Sequence, residues 1–379
     1  MGNRLKIAIA GITGSIGTSA VNIIRNHSDR FQIVLASAHS NARGLLDLAR
    51  EFKIENLVIT NGVKLSTNSE NKKIYRGHEE LYKLIQETDF DIFLNAMPGS
   101  NGLLTSYHVL KAGKKLALAN KESLVLAGHI LTKMAKANNQ PILPVDSEHS
   151  AIFQALGNHT REEIRQLYIT ASGGAFRSLP LEDFSQIKYK DAIQHPVWDM
   201  GVKVTIDSAT MMNKGLECIE AKWLFDIEYD QITPVIHPNS IVHSMVEFID
   251  GSILAQLSNP SMELPILYAL TYPGRIESTN VKTNIFDLPP LTFSEVDYNR
   301  YPLFKLALEV ARTGGLHPTI MNAANEAALE LFAKEEISFL DIHSKVEGAL
   351  NHFQNIADPD LDTILEFNKR AFDYTLRNN

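Results

Sequence analysis

Residues 5–27 read LKIAIAGITGSIGTSAVNIIRNH, and this stretch decides the fold of the N-terminal part of the chain. An apolar run leads into Gly11, Gly14 and Gly17, and the segment after them has apolar residues at helical spacing. This order is typical of dinucleotide binding, because glycines let the backbone approach a pyrophosphate and the helix N-terminus offers N–H groups. Since the spacing is G-x-x-G-x-x-G, a tight turn with close helix–strand packing is the alternative interpretation.

Short apolar runs alternate with helix-like segments as far as about residue 150, and they predict βαβ units with a parallel sheet. The middle of the chain predicts an α+β domain with a mostly antiparallel or mixed sheet. Its strand candidates are LYITAS (167–172), KVTIDSA (203–209), PVIHP (234–238), IVHSMVEFID (241–250) and SILAQLS (252–258). Asp250-Gly251 predicts a hairpin turn between the last two.

The rest of the chain predicts a linker and a helical bundle. Residues 272–299 are rich in Pro, Thr, Asn and Asp, whereas the segment from Tyr301 onwards is helix-like almost throughout. The expected fold class is therefore a multidomain α/β and α+β protein, with a Rossmann-like domain, a central α+β domain and a C-terminal bundle. The predicted segments are 1–146 for dinucleotide binding, 147–272 for catalysis, metal binding and dimerisation, 273–299 for the linker and 300–379 for the helical domain.

The composition excludes several classes of protein. The 379 residues are 44% hydrophobic and 21% charged, which is ordinary for a globular protein. Asp and Glu (44) outnumber Lys and Arg (36), and this net charge of -8 argues against nucleic-acid binding. The single cysteine, Cys218, excludes an intrachain disulfide and a multi-cysteine zinc site. We expect a cytoplasmic protein without a membrane partner, because neither a signal-peptide pattern nor a bilayer-long apolar run is seen.

The end of the second predicted strand indicates which dinucleotide binds. NAD sites usually carry an acid here for the ribose hydroxyls, but residues 38–43 read AHSNAR. An acid would repel the 2′-phosphate of NADPH, whereas Ser40, Asn41 and Arg43 can donate hydrogen bonds to it. The sequence therefore favours NADPH, although Arg43 could equally be a solvated helix residue.

Two carboxylates, Asp146 and Glu148, flank Ser147 in ILPVDSEHSAIFQAL (142–156). If the apolar run continues as a strand, both carboxylates point to one side at its carboxyl end. Clustered oxygen ligands favour a hard cation such as Mg²⁺ or Mn²⁺. The alternative is a helix N-terminus, with Asp or Ser as the cap and Glu near the positive end of the helix dipole.

Four further segments carry groups suited to an anionic substrate. Lys121, after the predicted strand KKLALA, could donate to a substrate oxygen, or Asn120 could simply cap a helix. Ser172-Gly173-Gly174 could form a phosphate-binding nest or a plain turn. Residues 195–201, HPVWDMG, could be a lid that excludes water, although a lone histidine is more often structural.

The fourth segment is IDSATMMNKGLE (206–217). Ser208, Asn213 and Lys214 are donors suited to a phosphate. Glu217 lies three residues after Lys214 on one helix face and could be a third metal carboxylate. A solvated Lys–Glu pair is the alternative.

Taken together, nine stretches resemble one family. They are GITGSIG, LANKESLV, LPVDSEHSAIFQ, ASGGAF, HPVWDMG, IDSATMMNKGLE, HPNSIVHSMVEF, GSILAQL and NAANEAA, in order from residue 11 to about 328. The family is 1-deoxy-D-xylulose 5-phosphate reductoisomerase, of the non-mevalonate isoprenoid pathway. The resemblance implies a homodimer that uses NADPH and one Mn²⁺ or Mg²⁺ ion per site. The implied reaction rearranges and reduces the sugar phosphate to 2-C-methyl-D-erythritol 4-phosphate, by a retro-aldol route or a 1,2-shift.

The resemblance also implies the residues of the site. The implied metal ligands are Asp146, Glu148 and Glu217. The implied substrate contacts are Lys121, Ser147, Ser172, His195, Ser208, Asn213, Lys214 and Glu217. The implied NADPH contacts are Thr13, Gly14, Ser15, Ile16, Asn41, Asn120, Glu122 and Gly201. The implied catalytic residues are Lys121, Glu148, Glu217 and His195.

The chain departs from the family pattern at two places. AHSN replaces a Gly-Lys-Asn-like turn, so only Asn41 carries over, and Asp199 adds a negative charge to the predicted lid. Two other functions stay open at this point. One is a different NADP-dependent dehydrogenase of the semialdehyde or homoserine type, and the other is a non-catalytic dinucleotide-binding regulator.

Overall fold

The structure, a computed structural model, describes residues 4–61, 74–278 and 280–378. Residues 1–3, ahead of the first predicted strand, and Thr279 in the predicted linker lie outside the described residues. The chain forms two compact units. The first unit contains the described residues of Met1–Ser123, Leu131–Ser150 and Met262–Val281, and the second contains those of Leu124–Ile130, Ala151–Ser261 and Lys282–Asn379.

The first unit is built on a parallel sheet, which confirms the predicted Rossmann-like fold. Among the described residues its strand order is β4-β3-β2-β1-β5-β6-β7. The strands are β1 Leu5–Ala10, β2 Phe31–Ala38, β3 Asn56–Ile59, β4 Ile74–Arg76, β5 Ile92–Asn95, β6 Lys115–Leu118 and β7 Ile142–Pro144. The central strands are buried on both faces, as continuous apolar runs predict for a parallel sheet covered by helices.

Six described helices alternate with or follow the strands of the parallel sheet, and a seventh helix, later in the chain, also belongs to the first unit. They are α1 Ser15–Asn26, α2 Ala42–Phe52, α3 His78–Glu87, α4 Leu103–Lys111, α5 Lys121–Ala137 and α6 Ser147–Leu156, within the described ranges. Helix α10, Glu263–Thr271, packs against α1. Its sequence, ELPILYALT, is apolar on most sides, so its periodicity did not indicate a helix here.

The carboxyl ends of four strands align at one edge of this sheet. Ala10 pairs with Asn95, Asn95 with Leu118, and Leu118 with Pro144. The loops that follow β1, β5, β6 and β7 therefore emerge at a common edge, where open α/β sheets bind their ligands.

The second unit contains a mixed sheet, as predicted, in the order β11-β10-β8-β9. Its described strands are β8 Ile164–Ala171, β9 Ile232–Ile236, β10 Val242–Phe248 and β11 Ile253–Leu257. Strands β8 and β9 are parallel and the other pairs are antiparallel. The turn between β10 and β11 lies at Asp250-Gly251, which confirms the predicted hairpin.

One strand prediction is wrong, because KVTIDSA forms helix α8, Val202–Ala209. Its Val, Thr and Ile favour a strand, but tertiary packing overrides this preference. Thr205, Ile206 and Ala209 share the buried side of the helix. Both the amide and the hydroxyl of Thr205 donate to the Gly201 carbonyl, so the first turn is hydrogen-bonded twice.

Four described helices after residue 300 pack against one another and confirm the predicted C-terminal bundle: α11 Pro302–Thr313, α12 His317–Ala333, α13 Asp341–His352 and α14 Leu361–Arg377. Two further described helices of the second unit, α7 Tyr189–Ala192 and α9 Met212–Phe225, lie in the central part of the chain. Between Tyr272 and Asn299 the described residues hold one short 3₁₀ turn, Ile285–Asp287, and one β-bridge, from Ser294 to Ile236. The predicted domain bounds stay a prediction. Within the described ranges, no helix has the length and hydropathy needed to cross a membrane.

Candidate functional site

The glycine-rich loop after β1 has the geometry that a dinucleotide site needs. Gly11 has φ +80°, and a Cβ atom there would lie 2.6 Å from the Ala96 carbonyl oxygen. A Cβ at Gly17 would overlap the Gly11 carbonyl, so close packing, the alternative interpretation, is also correct for these two positions. Gly14 stands at the N-cap of α1 and is exposed with Ser15, which leaves the helix N-terminus accessible. Thr13 and Ile16 flank them and are partly exposed.

Two of the predicted cofactor residues act as helix caps. The Asn41 side chain accepts from the Gly44 amide at 2.9 Å and so begins α2. Asn120 accepts from the Ser123 amide at 3.0 Å and donates to the carbonyls of Met97 (2.9 Å) and Gly99 (2.8 Å). Its buried side chain therefore ties the loop after β5 to the start of α5.

Four neighbouring residues differ in their exposure to solvent. Glu122, also buried, accepts a hydrogen bond from the side-chain NH₂ group of Asn120 at 3.0 Å. At the end of β2, His39, Ser40 and Arg43 are exposed.

A buried ion pair joins two loops at the sheet edge. Because Leu118 pairs with Pro144, the residues that follow them are neighbours, and Lys121 Nζ lies 2.6 Å from the Asp146 carboxylate. Their side chains are 10% and 11% exposed. Burial raises the pKa of Asp146, but the Lys121 ammonium and His149 outweigh burial and hold that pKa below its usual value. Asp146 is therefore an ionised carboxylate.

The D-S-E segment begins a helix rather than continuing a strand. Strand β7 ends at Pro144, and the Asp146 carbonyl accepts from the Ser150 amide at 2.8 Å as α6 begins. The helix-start interpretation is therefore correct for the backbone. Glu148 lies in the first turn and accepts from the Ser147 hydroxyl at 2.6 Å. The two carboxylates remain close in the chain, with one of them on the helix and one at its cap.

Ser172 and His195 are hydrogen-bonded in the second unit. The Ser172 hydroxyl lies 2.8 Å from His195 Nε2 and accepts from the Gly174 amide at 3.1 Å. His195 Nδ1 accepts from the amides of Val197 (3.2 Å) and Trp198 (2.9 Å), so this nitrogen carries no proton. Nε2 is then the protonated nitrogen and donates to Ser172, which leaves the Ser172 hydroxyl hydrogen for an anionic ligand.

The protonation state of His195 follows from its surroundings. Burial, together with the positive charge of Arg177, lowers the pKa of His195 to about 4. A second proton on the ring would also displace the two backbone donors at Nδ1. The imidazole is therefore neutral at physiological pH.

The Ser-Gly-Gly loop touches the end of α8. Gly173 and Gly174 have φ of +81° and +70°, and a Cβ atom on Gly174 would overlap the Ser208 carbonyl. This close approach places the loop that carries Ser172 beside Ser208. Gly201, the N-cap of α8, lies at the opposite end of that helix.

The helix after α8 buries a charged pair. Met211, with φ +60°, turns the chain from α8 into α9, so Asn213 and Lys214 occupy the first turn. Lys214 and Asn213 each donate to the Glu217 carboxylate. The side chains of Lys214 and Glu217 are 4% and 1% exposed, so the expected alternative of a solvated pair is wrong. Opposite charges out of water are costly unless they are well paired.

Other residues support the predicted lid or lie apart from it. The Trp198 ring stands edge-on to His243 with centroids 6.0 Å apart, and His243 lies 2.9 Å from the Ser258 hydroxyl. Periodicity could not single out His243, although HPNSIVHSMVEF contains it. Asp199 is exposed and faces solvent. Cys218 is buried in α9, where burial raises its pKa to about 12, in accord with a structural role.

These features define an enzyme class. A glycine loop at the carboxyl edge of a parallel sheet, with a buried lysine and a buried carboxylate after neighbouring strands, is the arrangement of a dinucleotide-dependent oxidoreductase. Neutral donors around Ser172 and a lysine on α9 suit an anionic substrate.

Comparison with known proteins gives the particular family. The family model of 1-deoxy-D-xylulose 5-phosphate reductoisomerase matches residues 7–128, and two models of its C-terminal domains match residues 142–225 and 257–374. The reductoisomerase of Listeria monocytogenes serotype 4b is 47% identical over 98% of this chain and 99% of its own length. The reductoisomerase 1 of Bacillus anthracis is 44% identical over 97% of each chain.

Solved structures agree with this result. The reductoisomerase of Zymomonas mobilis in complex with NADPH has a TM-score of 0.91 and 37% identity over 99% of each chain. A reductoisomerase in complex with NADPH, fosmidomycin and magnesium has a TM-score of 0.93 and 39% identity over 98% of each chain. This chain belongs to the 1-deoxy-D-xylulose 5-phosphate reductoisomerase family. It is an oxidoreductase, and nothing favours the two alternative functions.

Proposed function

We propose that the residues described above divide the NADPH- and metal-dependent conversion of 1-deoxy-D-xylulose 5-phosphate into 2-C-methyl-D-erythritol 4-phosphate among three tasks. These tasks are holding a divalent cation, gripping the substrate phosphate and binding NADPH. The observation that carries the proposal is the buried Lys214–Glu217 pair. Lys214 offers a positive charge that suits the substrate phosphate, and Glu217 offers a negative charge that suits a divalent cation.

Asp146, Glu148 and Glu217 are the proposed ligands of Mn²⁺ or Mg²⁺. The donor set fits such an ion, since all three offer carboxylate oxygens and the pKa of Asp146 is held low. A divalent ion held there supplies Lewis-acid polarisation of adjacent substrate oxygens. Lys121 orients the Asp146 carboxylate through their 2.6 Å contact and is the proposed donor to a substrate oxygen. Ser147, which donates to Glu148, is a proposed substrate contact.

The phosphate grip is proposed to use Ser172, Ser208, Asn213 and Lys214. The Ser172 hydroxyl hydrogen is available because His195 and Gly174 both donate to its oxygen. Asn213 and Lys214 lie in the first turn of the 14-residue helix α9, whose N-terminus favours anions. A grip on the phosphate, away from the reacting carbons, supplies binding energy that orients the carbon skeleton.

NADPH is proposed to contact Thr13, Gly14, Ser15, Ile16, Asn41, Asn120, Glu122 and Gly201. The accessible N-terminus of α1 and the absence of an acid in residues 38–43 both fit this cofactor. NADPH supplies the hydride for the reduction. His195 and Trp198 belong to the segment proposed to exclude water during that step. The backbone amides of Val197 and Trp198 hold this segment by donating hydrogen bonds to His195 Nδ1.

The enzyme is proposed to act as a homodimer. Strand β11 is an edge strand of the second unit, and its Ile253, Leu254 and Leu257 are exposed, which is unfavourable for an edge left in water. Pairing with a second copy would cover these side chains. The cytoplasmic location stays a prediction, which cell fractionation tests.

The direct test follows NADPH oxidation with 1-deoxy-D-xylulose 5-phosphate in the presence and absence of Mn²⁺. Glu217→Gln should lose most metal-dependent turnover and keep its affinity for NADPH, whereas the exposed control Glu228→Gln should match the wild type. Unchanged turnover of Glu217→Gln at limiting Mn²⁺ would remove Glu217 from the ligand set. Ser208→Ala should raise the KM for the sugar phosphate, and an unchanged KM would contradict the phosphate assignment.

A further inference from the structure

Asp207 is a buried carboxylate next to the proposed phosphate grip. Its side chain is 1% exposed, and it directly precedes Ser208 in α8. Two donors reach it: Lys203 Nζ, one turn earlier in the same helix, at 2.8 Å, and Asn325 Nδ2 of helix α12, also at 2.8 Å. Asn325 is itself fully buried. Neither Asp207 nor Asn325 was among the predicted site residues.

The Asp207 carboxylate is unexpected beside a phosphate site, because its negative charge repels an incoming phosphate. Like charges repel strongly where water is excluded. A lysine and an amide held against Asp207 offset its charge and satisfy its oxygens. Since a carboxylate only accepts hydrogen bonds, Asn325 must present its NH₂ group, so the amide orientation is determined.

Asp207 lies in the last turn of α8, and hydrogen bonds join this turn to the start of α9. The Thr210 hydroxyl contacts the carbonyls of Ile206 and Asp207, and it accepts from the Met212 amide at 3.3 Å as α9 begins. The Gly174 backbone packs against the Ser208 carbonyl with no room for a Cβ atom. A shift of Asp207 would therefore move Ser208 against the Ser172 loop and move the start of α9, where Asn213 and Lys214 lie.

We propose that Asn325 of α12 is a positioning residue for phosphate binding, which holds Ser208 and the first turn of α9 in place through the Asp207 carboxylate. The proposal rests on the proposed function, because it takes Ser208, Asn213 and Lys214 as the phosphate contacts. It gives the motif NAANEAA in the C-terminal bundle a task in the reaction. Helix α12, which has no assigned ligand contact, thus sets the geometry of the residues proposed to bind the phosphate.

The experiment reverses the hydrogen bond in the full-length enzyme. Asn325→Asp sets two carboxylates against each other, whereas Asp207→Asn/Asn325→Asp restores a donor and an acceptor with their roles exchanged. Thr319→Val is the matched control, because Thr319 is another fully buried polar residue of α12, and its hydroxyl donates to the Leu126 carbonyl rather than to Asp207. The measurements are kcat, the KM for the sugar phosphate, the competitive inhibition constant of inorganic phosphate and the Kd for NADPH.

Asn325→Asp should raise the KM and the phosphate inhibition constant by about tenfold or more. This is the size expected if a displaced Ser208 loses its hydrogen bond to the charged phosphate. The Kd for NADPH should stay within about twofold, because neither Asn325 nor Asp207 is among the proposed NADPH contacts. The double variant should recover most of the loss in phosphate affinity. Thr319→Val should leave phosphate affinity unchanged, even if it lowers thermal stability.

Three results would overturn the inference. They are an unchanged phosphate affinity in Asn325→Asp, a double variant no better than Asn325→Asp, and an equal loss of phosphate affinity in Thr319→Val. Ser208→Ala separates this failure from failure of the proposed function. A raised KM in Ser208→Ala with a normal KM in Asn325→Asp would reject only the positioning role. A normal KM in Ser208→Ala would reject the phosphate assignment itself.

Discussion

Replacing Lys214 by methionine tests the buried pair on α9 most directly. Lys214 and Glu217 are 4% and 1% exposed, so the substitution keeps the bulk of the side chain and removes the cation that lies against the carboxylate. The folded state must then hold the Glu217 charge out of water without this partner. The unfolded chain has no such problem, and the second unit should lose stability.

The size of the effect follows from the burial of both groups. Removing one partner of a buried pair costs about 3–5 kcal/mol, and the lower end, about 3 kcal/mol, applies because Asn213 still donates to Glu217. About 1 kcal/mol moves the Tm of a unit of this size by about 2–4 °C, so the expected decrease is about 6–12 °C. A divalent ion at Glu217 should reverse it, since a ligand at about 100 times its Kd contributes about 2.7 kcal/mol.

Thermal unfolding with and without Mn²⁺, in the absence of substrate, measures this effect. Lys214→Met should unfold at lower temperature and gain more from Mn²⁺ than the wild type, in which the ion competes with Lys214. Lys214→Met/Glu217→Gln, which removes both charges, should recover stability and lose the extra response to Mn²⁺. The reasoning is refuted if Lys214→Met is as stable as the wild type, or if it responds to Mn²⁺ no more than the double variant does.

Three further predictions concern the loop, the lid and the dimer. Gly174→Ala should raise the KM for the sugar phosphate about tenfold or more by displacing Ser208. Steady-state kinetics measures this against Gly251→Ala, which has a similar φ but open space around its Cβ, and equal KM values would contradict the close approach. His195 has its pKa lowered from 6.5 to about 4, so its neutral form stabilises the fold above about pH 6.5 and that contribution is lost as the pH falls towards 4. An NMR titration of His195 should show a midpoint near 4, and a midpoint near 6.5 would reject the bonds at Nδ1. Leu254→Lys should dissociate the proposed dimer in light scattering, whereas Leu340→Lys, an equally exposed control, should not.

Much of the first unit could be predicted from local sequence because its determinants are local. Apolar runs separated by helix-like segments specify parallel βαβ units, and Gly11 and Gly17 occupy positions where a side chain would clash. Asp146, Ser147 and Glu148 were identified as a group by their adjacency in the chain. Whether they continued a strand or began a helix stayed open, because an apolar run of this length fits both.

The second unit shows what local patterns miss. KVTIDSA has strand-forming residues, yet it is helix α8, because burial of one side of the helix outweighs its intrinsic preference. Helix α10 has no polar face from which a period could be read, since it is enclosed by neighbours on most sides. Spacing placed Lys214 and Glu217 on one helix face but could not show that both are buried.

By itself, then, the sequence determined the parallel sheet, the glycine loop and the candidate residues for phosphate, metal and dinucleotide binding. Only the tertiary structure decided how those residues are held. Asn325 reaches Asp207 across 118 residues of chain, and Lys121 meets Asp146 because β6 and β7 are neighbours in the sheet. The physical reason is that propensity and periodicity report on residues within a few turns of each other. Burial, pKa shifts and the hydrogen bonds of charged groups depend on which distant segments exclude water together.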